Sequence, residues 1–69
     1  IDRDAELARL ARELGKIEGE VKRLRGKLDN AGFVAKAPAD VVEREREKLA
    51  AQELAKARLE AQRDTLENM

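Results

Sequence analysis

Almost every side chain in this sequence that could take part in chemistry is charged. Arg9, Lys16 and Arg23 stand seven residues apart, with Arg12 between the first two, and Lys22, Arg25, Lys27, Lys36, Arg44, Arg46 and Lys48 follow. A seven-residue step returns to nearly the same helical face, so such cations would line up and attract an anion, phosphate above all. A glutamate precedes each of the first three by three residues: Glu6, Glu13 and Glu20. Those pairs read equally well as ordinary i,i+3 surface contacts, worth about 0.2–0.5 kcal/mol each. Other chemistries are excluded by residue type. Without Cys there is no disulfide, thiol nucleophile or zinc knuckle, and without His there is no imidazole base or ligand. Glutamates are plentiful, but a pocket of about 300 Å³ needs walls that so short a chain can hardly build. A binding or structural module is expected rather than an enzyme.

The elements that must carry these charges are helices. Of the 69 residues, 43% are charged, split evenly between 15 basic and 15 acidic, and most of the rest are Ala and Leu, the composition of long helices and coiled coils. Leu7, Leu10, Leu14, Ile17, Val21, Leu24 and Leu28 follow at alternating steps of three and four, an unbroken a/d heptad seam with Leu7 at a. Asp2 or Asp4 can cap its start. No apolar run approaches the roughly 20 residues of a membrane span. The chain begins at Ile1 rather than Met, as expected of a piece of a longer protein.

The heptad stops at Asp29-Asn30-Ala31-Gly32, where Asn30 or Gly32 suits a left-handed cap. A second helix is predicted from Pro38, or from just after Asp40, whose spacing to Glu43 is that of a capping box. Its stripe of Val42, Leu49, Leu59 and Leu66 is broken by Glu45, Gln52, Ala55 and Gln62, with Lys56 and Arg63 competing for the seam and Leu54 off it. Folding near Ala35 aligns the stripes: Leu28 with Val42, Val21 with Leu49, Leu10 with Leu59, and Ile1 with Met69. The expected fold is all-α: one domain over 1–69, a monomeric antiparallel two-helix coiled-coil hairpin. Its helices are expected over about 2–29 and about 38–67, with a tip loop over about 30–37. Phe33, the lone aromatic, is expected to plug the open end of the seam, or else to offer a stacking platform. Gly15, Gly19 and Gly26 interrupt the first helix; Gly19 and Gly26 point outward, leaving either tolerated drift or the close approach of another backbone.

On this hairpin Arg23, Lys27, Arg44 and Lys48 fall on one flank near the tip, diluted by Glu20 and Glu47, with Lys36 in the loop. The opposite flank is also basic there, through Lys22, Arg25 and Arg46. A locally basic tip on a net-neutral chain suits a phosphate backbone, although a neutral composition by itself supports nucleic-acid binding only weakly. The rival from another class is a structural coiled coil that joins protein partners, for which Leu54 with Ala50, Ala57 and Ala61 offers a faint exposed stripe.

The tip is more specific than the helices. Lys27, Leu28, Asn30, Gly32, Phe33, Val34, Lys36, Ala37, Pro38, Val41, Val42, Glu43, Glu45, Lys48 and Leu49 match the pattern K-L-x-N-x-G-F-V-x-K-A-P-x-x-V-V-E-x-E followed by K-L. This pattern resembles the coiled-coil tRNA-binding arm that ends bacterial valyl-tRNA synthetases, and Ile17-Glu18-Gly19-Glu20 is also familiar from those arms. Helical arms of seryl-tRNA synthetases and of some ATP-binding-cassette translation factors are the nearest confusions. The resemblance implies a cytoplasmic parent enzyme that joins valine to its tRNA using ATP and magnesium. It implies that this fragment needs no cofactor, since the adenylation and editing domains lie upstream. The implied partners are valine tRNA, met at the outer corner where its D and T loops join, and the upstream domains of the same synthetase, with no membrane. Arg23 and Lys48 are the residues carried over as tRNA contacts, with Lys27 and Arg44 in support.

Overall fold

In the computed structural model, which describes residues 2–69, three helices follow in order. They are α1 over Arg3–Asp29, α2 over Ala31–Lys36 and α3 over Ala39–Glu67. The two long helices run antiparallel and pack along their lengths, giving a rod of 49 × 15 × 14 Å. The two-helix hairpin expected from the heptad is therefore the fold. The expected pairing of Ile1 with Met69 lies outside the described residues.

Each end of α1 has a local cause. Asp2 accepts from the Asp4 and Ala5 backbone N–H groups through Oδ1, at 3.0 and 3.3 Å, satisfying donors that the first turn leaves orphaned. At the other end the expected left-handed cap is absent: among the described residues none has a positive φ. Asn30 turns the chain instead, with φ −80° and ψ 106°. Its backbone N–H closes α1 on the Lys27 carbonyl at 3.2 Å. Its side-chain oxygen opens α2 by accepting from the Gly32 and Phe33 N–H groups at 2.9 and 3.3 Å.

The segment expected as a loop is thus mostly a short helix. Extended residues on either side of α2, Asn30 before it and Ala37 with Pro38 after it, turn the chain without a left-handed residue. Ala37 is extended at ψ 147°, as the residue before a proline must be, and this separates α2 from α3. Pro38 occupies the N-cap of α3 with no side-chain hydrogen bond; its carbonyl accepts from Val41 and Val42 at 3.0 and 3.1 Å. The expected capping box does not form, because Asp40 already lies inside the first turn, where its charge still complements the helix N-terminus.

The seam is lopsided. Leu10, Leu14, Val21 and Leu24 of α1 are buried, whereas Val42 alone is buried on α3. Leu49, Leu59 and Leu66 are half-buried, and so are Glu45, Gln52, Lys56 and Arg63. Long cationic side chains can occupy seam positions by burying their methylene stems and sending the head group out. Arg63 does so: its guanidinium reaches Asp64 and Glu67 on its own helix at 3.6 and 3.9 Å.

Polar links also join the two arms. Arg3 donates to the Met69 carbonyl oxygen at 3.2 Å, Lys27 pairs with Glu45 at 3.8 Å and Arg25 pairs with Glu53 at 2.8 Å. The bounds of the two long helices are symmetric about residues 34–35, and two of these links are symmetric about Lys36, close to the expected fold point near Ala35.

Candidate nucleic-acid interface

Charge is unevenly spread along the rod. Residues 20–48, the tip half, hold eight basic and six acidic side chains, leaving seven basic and nine acidic for the base half. An approaching polyanion is therefore drawn to the tip.

Within the tip, the four cations singled out from sequence have different surroundings. Lys27 of α1 and Lys48 of α3 converge on one atom, Glu45 Oε1, at 3.8 and 3.6 Å. Their ammonium groups are consequently no more than 7.4 Å apart although they come from opposite arms. Lys27 also lies over the Phe33 ring, with Nζ 5.4 Å from the centroid, within cation–π range. Phe33 is half-buried at the tip, and Lys27 covers its face.

Arg23 is exposed and donates to Glu20 at 2.7 Å. That hydrogen bond, together with the Glu20 charge and a smaller attraction from Glu45, raises its pKa above the ordinary guanidinium value. Arg44 pairs with Asp40 on its own helix at 3.9 Å, and no bond or ion pair joins it to the other three. The structure thus joins Lys27 with Lys48, sets Arg23 within the field of the same carboxylate, and leaves Arg44 engaged apart.

Two features escaped the sequence reading. By position Glu45 is only a polar filler of a seam slot, yet it links the cations of both arms. An acid at a d position, three residues before a lysine, was the available signal. On the opposite flank, Arg25 is tied across the seam to Glu53. Among the described residues, Lys22, Lys36 and Arg46 have no carboxylate within ion-pair distance. They can take a phosphate without giving up a partner.

The base of the rod offers different chemistry. A shallow open groove of about 410 Å³ there is lined by Ala61, Gln62, Thr65 and Leu66, with no acid or base among them. Among the described residues, no helix is long and apolar enough to cross a membrane.

The family model for the valyl-tRNA synthetase tRNA-binding arm matches residues 2–67, nearly the whole chain. The chain belongs to that family. No solved structure matches it. Membership makes tRNA the partner and a synthetase the parent. The exposed cations and the net positive charge of the tip half suit that use.

Proposed function

We propose that this arm binds valine tRNA at its outer corner, where the D and T loops meet, through the tip-proximal flank of Arg23, Lys27, Arg44 and Lys48. The contact is to backbone and shape. It adds affinity and orientation for ATP- and magnesium-dependent aminoacylation, which the other domains of a cytoplasmic synthetase carry out, while the monomeric arm itself catalyses nothing. The observation that carries this reading is the convergence of Lys27 and Lys48 from two helices at the basic end of a tRNA-binding arm.

Arg23 can fork onto a phosphate or stack on an exposed base, whereas Lys27 and Lys48 act as point charges. Each phosphate neutralised releases counterions, so affinity falls with salt by a slope of about 0.7–0.9 per contact. In the complete synthetase, Arg23→Ala with Lys48→Ala should raise the KM for tRNA and leave valine activation, which precedes charging, unaltered. The same pair should flatten the salt slope by about 1.5. Arg9→Ala with Arg12→Ala, nearer the base, should do less. If the basal pair matters more, or neither pair changes tRNA binding, the flank is misassigned and a protein partner becomes the better reading.

A further inference from the structure

We infer that Glu45 is a positioning residue for tRNA binding: its carboxylate, set in the seam, holds Lys27 of one arm and Lys48 of the other as a two-ammonium phosphate clamp. The inference rests on the tRNA-binding reading of this flank.

Glu45 differs from the other acids near the tip. Its side chain is only 12% exposed, whereas Glu20 and Asp40 are 49% and 71% exposed and pair only within their own helices. Among the described residues it alone pairs with cations from both long helices. A carboxylate in a coiled-coil seam sacrifices apolar packing and carries a desolvation cost, which the two ammonium groups offset. In return, each lysine is drawn to a fixed point rather than wandering on its flexible stem.

The geometry leaves the clamp open. At 3.8 and 3.6 Å the ammonium groups lie beyond ordinary hydrogen-bond length from the carboxylate. Their N–H donors therefore remain available to a phosphate that bridges them. Two cations this close repel each other, and the carboxylate between them relieves that repulsion before any ligand arrives. The Phe33 ring adds a second contact to Lys27, and the attraction of Glu45 extends to Arg23.

The test measures binding of an unmodified valine tRNA transcript to the complete synthetase in four forms: unaltered, Glu45→Gln, Lys27→Ala with Lys48→Ala, and all three changes together. Glutamine keeps the shape and removes the charge. Glu45→Gln alone should weaken binding about threefold to tenfold, the cost of ordering two loose lysines less the relief of carboxylate–phosphate repulsion. Without the lysines the same change should do nothing or tighten binding, because the carboxylate then only repels the phosphate. Tighter binding from Glu45→Gln in the unaltered enzyme would overturn the inference, since Glu45 would be a mere repellent. An equal loss in both backgrounds would also overturn it, marking a general role in the hairpin fold. If removing the two lysines leaves binding unchanged, it is the flank reading itself that has failed, and the clamp falls with it.

Discussion

Leu24→Ala should unfold much of this hairpin, while Leu54→Ala should barely affect it. Leu24 is 1% exposed in the α1 seam; Leu54 is 55% exposed on the outer face of α3. Truncating leucine to alanine removes three carbons, about 2.4 kcal/mol at roughly 0.8 kcal/mol per buried methylene. A residual cavity adds to this in a thick core, where such changes cost about 2–5 kcal/mol. Here a single seam lies open to solvent along both edges, so its neighbours can settle into the space, and about 2–3 kcal/mol is expected. A chain of this length is held by roughly 3–10 kcal/mol, and a hairpin without a second layer belongs near the lower end. Leu24→Ala should then lower the melting temperature by about 10–20 °C. Leu54 loses less than half as much burial and gains slightly in helix propensity, leaving a change of about 1 kcal/mol or less. Thermal and urea melts followed by circular dichroism would measure both. Equal destabilisation, or a larger loss at Leu54, would place the seam on another face and refute the reasoning.

Asn30→Ala removes the side chain that caps α2 and should cost about 1 kcal/mol, read as a lower urea midpoint with an unchanged slope. Gly19→Ala and Gly26→Ala should each stabilise α1 by about 0.5–1 kcal/mol, because a Cβ at either position meets nothing within 4 Å; melts of the single variants would check this. Acidification should loosen the base of α1. Hydrogen bonding to Arg9 holds the Glu6 carboxyl below its ordinary value, so its contribution is complete above the usual carboxylate range and is lost as pH falls through the lower folded value. The acid side of a stability–pH profile should accordingly flatten in Glu6→Gln.

Much of the fold was legible because the heptad of α1 repeats a strong physical requirement: every a and d position from Leu7 to Leu28 is aliphatic. The polar stripe of α3 could be read too, since Lys56 and Arg63 at seam positions imply stems packed inward and charges turned out. The turn was harder. Asn30 suits a left-handed cap by residue type, but its extended φ and ψ and its bonds to the Gly32 and Phe33 N–H groups make it the N-cap of α2. That choice makes α2 a helix. The basic flank was legible as a set of positions on a wheel. Which members touch was not, because a lysine sweeps a wide arc and its resting place depends on the nearest carboxylate across the seam. Glu45 decides that for Lys27 and Lys48, whereas Arg44 finds Asp40 on its own helix instead.

The claim that the basic tip lies against the tRNA corner is tested most directly by cleavage from a tethered iron chelate. A single thiol introduced as Lys36→Cys, at the end of α2, in an otherwise cysteine-free synthetase would carry the chelate, with Arg12→Cys near the base as its counterpart. Bound valine tRNA should be cut in the D and T loops from position 36 and little from position 12. Cuts confined to the anticodon or acceptor stem, or stronger cutting from position 12, would contradict the account.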